Sequence, residues 1–83
     1  MISDISVVTG FLKSIESYES LLKIDLLRSE SNGVYKAYKI SYLNTDKKKV
    51  KLRLELDFVH EKLSSGKWND NSLKTKKFSH FLD

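Results

Sequence analysis

The sequence predicts an α+β two-layer sandwich: an N-terminal helix, a three-stranded antiparallel meander, and one or two C-terminal helices covering the same face of the sheet. Three observations lead to it. Apolar residues recur every three or four positions from Ile5 to Tyr18, strict alternation runs from Val50 to Phe58, and between them an Asn32-Gly33 turn joins two further apolar stretches. Nine aromatics are spread from Phe11 to Phe81, so both ends are expected to share one core and the chain, 1–83, is read as one domain.

The first helix is expected from Ile5 to Tyr18, with Ile5, Val8, Phe11, Leu12, Ile15 and Tyr18 on its buried stripe and Ser3 or Asp4 as its cap. Gly10 in its middle costs about 1 kcal/mol relative to alanine, and β-branched Val7, Val8 and Thr9 leave a short strand as the alternative for its first turns. Ser14, Ser17 and Ser20 then read as a solvated stripe on that helix. Leu21 to Arg28 reads as a half-buried strand with Leu22, Ile24 and Leu26 inward. The turn residues Ser29 to Gly33 lead into a second strand, Val34 to Leu43, and Asn44 to Lys49 turn into a third, Val50 to Phe58.

Inward positions on all three strands are even-numbered, which predicts that Tyr38 faces Leu56, Ile40 faces Leu54 and Tyr42 faces Leu52, with Lys39 opposite Glu55 on the solvent side. Tyr35 falls on that solvent side as well. Past Phe58, Asp57 is expected to cap a short helix through Leu63 that stops at Gly66 in the left-handed conformation. Trp68 follows in a polar loop. Ser72 then caps a last helix whose apolar face carries Leu73, Phe78, Phe81 and Leu82.

Composition narrows function by exclusion. Without cysteine there is no disulfide framework and no thiolate ligand or nucleophile. Apolar runs reach only two residues, which predicts no bilayer span, no signal peptide and a cytoplasmic location. His60 and His80 stand twenty residues apart with no zinc-ligand spacing, and three scattered glycines build no phosphate loop. An acid-base group drawn from His60, Glu61 and Asp57 would need a walled cleft that a chain this small has little material to build. No catalytic residue, metal or cofactor is expected.

The formal charge of +4 is unevenly placed: residues 1–35 sum to −2 and residues 36–83 to +6. The candidate binding residues follow from that excess: Lys36, Lys47, Lys48, Lys49, Lys51 and Arg53 around the second hairpin, Lys74, Lys76 and Lys77 on the expected last helix, and Trp68 as an aromatic anchor. Trp68 also fits a second reading, a ring folded back over the core edge. Thirteen of the fifteen cations are lysine, which suits low-specificity attraction better than the bidentate reading of bases.

The expected order of helix, three strands and helix is similar to that of the double-stranded-RNA-binding domain, whose basic cluster opens the last helix. Here Lys47-Lys48-Lys49 stands instead in the turn before the third strand, so the similarity extends to element order alone. The same order resembles some small phage inhibitors of bacterial immunity that mimic DNA, but those are acidic and this chain is basic. The resulting expectation is a small non-enzymatic interaction protein that binds and modulates or inhibits a larger protein. Its small size and Lys-, Asn- and Ser-rich composition point to a phage or mobile-element origin and hence to a host cytoplasm. The alternative is a low-specificity nucleic-acid-binding module using the lysine-rich hairpin. The two free edges of the sheet permit a homodimer.

Overall fold

A computed structural model describes residues 2–82. Helix α1 (Asp4–Lys13) is followed by β1 (Tyr18–Glu30), β2 (Tyr35–Asn44), β3 (Lys49–Asp57), β4 (Lys62–Lys67) and β5 (Lys74–Lys77), with 3-10 turns at Ser31–Gly33 and Phe78–His80. The strands form one antiparallel sheet in chain order. The expected α+β two-layer sandwich is thereby corrected: the sheet has five strands instead of three, and the C-terminal helices are absent from the described residues.

Backbone pairing explains the correction. Leu54 and Leu56 of β3 are fully buried, and a helix after Asp57 would leave the outer amides and carbonyls of β3 without partners beside the core. Asp57 does cap the next segment, its Oδ1 accepting from the Val59 and His60 amides at 3.0 and 3.1 Å. What it caps is a tight reversal, with Glu61 at a φ of 51°, that returns the chain against β3 as β4. Gly66 lies inside β4 without a positive φ. Its role is close approach, because a methyl there would meet the Ser72 carbonyl oxygen at 2.7 Å and Leu73 Cδ2 at 2.8 Å.

The spacing of Leu73, Phe78, Phe81 and Leu82 mimics a helix but serves separate elements. β5 is extended along β4, the Phe78 amide donates to the Glu61 carbonyl at 2.7 Å, and the Phe78 ring is buried against Phe58 with centroids 5.2 Å apart. Phe81 packs edge-on against Phe11 at 5.5 Å.

Helix α1 is capped by Ser3, whose side chain accepts from the Ser6 amide at 3.2 Å. It stops five residues before Tyr18 because the sheet recruits the following chain: the Thr45 amide donates to the Ser17 carbonyl at 2.8 Å, and Tyr18 pairs with Asn44. The serine stripe therefore dissolves, with Ser14 capping the helix C-terminus and Ser20 lying in β1. The core joins Val7, Val8, Phe11 and Leu12 of α1 to Ile40, Leu54, Leu56 and Phe78. The expected inward residues Ile5, Leu22, Ile24 and Leu26 are instead 78%, 51%, 42% and 56% exposed.

Parity across the second hairpin holds, but the pairs are shifted by two residues: Tyr38 faces Leu54, Ile40 faces Leu52, Tyr42 faces Val50, and Lys39 faces Arg53 instead of Glu55. The turn sets this register. Asn44 Oδ1 accepts from the Asp46 and Lys48 amides at 2.9 and 3.0 Å, and Lys47 adopts a φ of 63°. The result is a three-residue loop that closes two positions earlier than the expected one.

Gly10 yields a prediction of reversed sign. Helix propensity alone makes Gly10→Ala stabilising by about 1 kcal/mol, yet a methyl at this position would lie 2.1 Å from the Phe81 carbonyl oxygen. Gly10→Ala is expected to lower unfolding free energy by about 1–3 kcal/mol, read as a lower urea midpoint. A raised midpoint would show that the C-terminal segment does not dock on α1.

Candidate interaction face

Since α1 covers one face of the sheet, the other is open to whatever the alternating positions present. Strand register places Lys23 and Asp25 of β1, Tyr35, Ala37 and Lys39 of β2, and Lys51, Arg53 and Glu55 of β3 on this helix-free face. Lys39 stands between Asp25 on one side and Arg53 on the other. Two like charges directly opposed cost free energy. The face relieves that cost twice: Lys39 Nζ sits 4.6 Å from the centroid of the Trp68 ring, and Arg53 Nε donates to Glu55 Oε2 at 2.8 Å.

Trp68 reaches this position because β4 carries the pairing one residue past its end, the Trp68 amide donating to the Lys51 carbonyl at 3.1 Å. Its ring is partly exposed and lies outside the hydrophobic core, beside a shallow depression bounded by Arg53 and Asn69 to Asn71. Along the same face, the Tyr35 hydroxyl donates to Glu55 Oε1 and the Arg28 guanidinium lies 5.7 Å from the Tyr35 ring centroid.

These contacts set the ionisation of the face. Partial burial raises the Glu55 carboxyl, but the Tyr35 and Arg53 hydrogen bonds and the arginine charges outweigh it and hold the carboxyl below its ordinary value. Burial and the Glu55 carboxylate push the Tyr35 hydroxyl up. On the opposite side of the sheet, Asp4 Oδ2 accepts from Lys36 Nζ at 2.8 Å and from the Tyr38 hydroxyl at 2.6 Å, tying the start of α1 to β2. Burial again opposes ionisation, and those two hydrogen bonds with the Lys36 charge again prevail, so the Asp4 carboxyl is lowered.

The residues singled out from the sequence are not brought together as one patch. Lys51, Arg53 and Trp68 share the helix-free face. Lys36 lies on the helix side, bound to Asp4, and Lys47 is turned to Glu19 with its Nζ 2.6 and 2.7 Å from the two carboxylate oxygens. Lys48 and Lys49 remain at the hairpin end. Lys74, Lys76 and Lys77, expected on a helix, stand on edge strand β5, with Lys76 opposite Leu63 and Lys77 opposite Lys62. Lys39, Asp25 and Glu55 belong to the face but lacked any signal beyond strand parity, and the assumed register had paired Lys39 with Glu55.

His60 Nδ1 lies 2.8 Å from Asp57 Oδ2 in the β3–β4 turn, where the imidazole is largely exposed, and this contact leads the causes that lower the Asp57 carboxyl. Among the described residues no group of His, Cys, Asp or Glu side chains has metal-site geometry, and no helix is long and apolar enough to cross a membrane. Comparison with known protein families, curated proteins and solved structures finds no match.

Asp4 and Glu55 make stability depend on acid. Their carboxyls lie below the ordinary values of 3.8 and 4.5, so the folded chain binds fewer protons than the unfolded chain across that range. Their contribution is complete above about pH 5 and is lost as pH falls through the lowered folded values. The Asp4→Asn/Glu55→Gln variant is expected to be less stable at pH 7 and to lose less between about pH 5 and pH 3, read as a flatter plot of thermal midpoint against pH.

Proposed function

We propose that this chain is a non-enzymatic interaction protein that docks on a larger protein and modulates or inhibits it through the helix-free face of its sheet. The observation that carries the reading is the placement of Trp68 on that face, outside the core, with Lys39 against its ring. Tryptophan is among the side chains enriched at the hot spots of protein interfaces. The charge pattern favours a protein surface over a phosphate backbone. Arg53 is paired with Glu55 at 2.8 Å, Arg28 with Glu30 at 3.1 Å and Lys23 with Asp25 at 3.5 Å, so acids accompany cations on the β1 and β3 parts of the face. Such a mosaic reads complementary charges, whereas a nucleic-acid track requires contiguous positive groups.

The non-enzymatic part of the reading rests on what the reactive groups face. The His60–Asp57 pair stands in an open turn without walls, and no buried side-chain polar atom among the described residues is left without a partner. Neither arrangement supplies the desolvated, aimed group that catalysis uses.

One observation supports nucleic-acid binding as the second reading: an open depression of about 550 Å³ is lined by Lys49, Lys51, Lys67 and Trp68, which together offer a stacking ring beside cations.

The two readings separate in one experiment. Tagged protein and its Trp68→Ala variant, which removes no core side chain, are used to recover partners from a lysate of the source cells, beside a titration with single-stranded oligonucleotide at low salt. A stoichiometric protein partner retained by the wild type and weakened about 30-fold or more in Trp68→Ala is expected. Absence of any such partner, with oligonucleotide binding that falls steeply with salt and weakens in Lys49→Glu/Lys51→Glu, would replace the proposal with the second reading.

A further inference from the structure

The two edges of the sheet are built differently. β5 is four residues long, three of them lysine, and charged short strands are what protect an edge from pairing with another chain. β1 is thirteen residues long and has a partner, β2, on one side only. Six of the seven large apolar side chains left exposed among the described residues are here: Leu21, Leu22, Ile24, Leu26 and Leu27 on β1, and Ile5 on α1 beside it. Between them runs an apolar groove of about 300 Å³ whose floor includes Leu21 and Ile24. A long apolar edge of this kind attracts a further strand.

The residue order of β1 indicates which strand. From Leu21 to Leu27 it reads Leu, Leu, Lys, Ile, Asp, Leu, Leu, a sequence symmetric about Ile24 except that Lys23 on one side is matched by Asp25 on the other. In an antiparallel pairing of β1 with a second β1 centred on Ile24, Ile24 faces the partner's Ile24 and Leu22 faces the partner's Leu26. Lys23 then faces the partner's Asp25, so both charges meet opposites. Slipping by one residue in either direction opposes a charge to an apolar side chain. Slipping by two opposes Lys23 to the partner's Lys23 or Asp25 to the partner's Asp25. The stretch Lys23 to Leu26 runs in continuous register between two bulges, so the outer edge that carries Lys23, Ile24 and Asp25 is straight enough to pair, with Leu22 at the first bulge on its margin.

We infer that this chain forms a two-fold symmetric homodimer through antiparallel β1–β1 pairing centred on Ile24, held by Leu and Ile contacts and by reciprocal Lys23–Asp25 pairs. The two sheets join into one of ten strands, with both helices on the same face. The exposed apolar side chains of β1 and Ile5 then face their counterparts across the joint. The helix-free faces become continuous, and Trp68, which lies beyond β2 and β3 from the joint, stays open on each copy. The dimer does not depend on the proposed partner, and Trp68→Ala is expected to leave it intact.

Charge reversal and cysteine cross-linking test the dimer independently. Lys23 and Asp25 are exposed, so both single reversals are expected to remain folded, read as an unchanged far-UV spectrum at room temperature. In sedimentation equilibrium the wild type is expected at twice its chain mass, and Asp25→Lys and Lys23→Asp each at least tenfold weaker in self-association. Equimolar mixing of the two variants restores opposite charges at both positions and is expected to return the dimer. The native chain has no cysteine, so single introduced thiols report cleanly. Ile24→Cys is expected to form a disulfide-linked dimer under mild oxidant, whereas Leu22→Cys alone is not, and Leu22→Cys mixed with Leu26→Cys is. A monomer at all concentrations, a dimer indifferent to the reversals, or cross-linking equal at positions 22 and 24 would each overturn the proposal.

Discussion

The structure depends on one mismatch of widths: a single ten-residue helix has to close one face of a five-stranded sheet. A helix with its side chains is about 10–12 Å across, and five strands about 4.8 Å apart span roughly 19 Å. The helix therefore covers about half the face. Its buried side chains, Val7, Val8, Phe11 and Leu12, meet the central strands, and Phe78 and Phe81 swing in from the C-terminus to fill the β4–β5 side. The approach of Phe81 to within methyl distance of Gly10 is a consequence of that filling. On the β1 side nothing equivalent arrives among the described residues, and the leucines of β1 stay in the open. The uncovered edge is the place where the packing of this fold runs short.

The same geometry decides the electrostatics. A linear count puts a basic excess around the second hairpin, and a patch read from it would contain Lys36, Lys47 and Arg53 together. Strand parity separates them. Lys36 falls on the helix side and meets Asp4, Lys47 bends back to Glu19, and Arg53 meets Glu55. On the helix-free face Arg53 pairs with Glu55 and Lys23 with Asp25, whereas Trp68 stands among Lys39, Lys49, Lys51 and Lys67.

Much of the N-terminal two thirds was legible in the sequence for plain physical reasons. Val50 to Phe58 alternates because β3 is central, with one face against the helix and one toward solvent, and Asn32-Gly33 marks a reversal because residues 31 to 33 all adopt positive φ. β4 and β5 were illegible. Their sequences, Lys62–Lys67 and Lys74–Lys77, are short and serine- or lysine-rich, and their strand character comes from hydrogen bonds to neighbours distant from any local pattern. Of the candidate face, Lys51, Arg53 and Trp68 were found through charge and residue type, whereas Lys39, Asp25 and Glu55 required the register.

The sequence by itself determined which residues are inward on β2 and β3, where the first two hairpins turn, and that positive charge concentrates after residue 35, because alternation, turn chemistry and charge are local properties of the chain. The two-residue register shift came from the local turn at Asn44, whereas tertiary structure alone decided the conversion of the expected C-terminal helices into β4 and β5 and the exposure of β1. Those outcomes depend on non-local terms: the backbone groups of β3 had to be paired, and one helix was too narrow to cover the sheet.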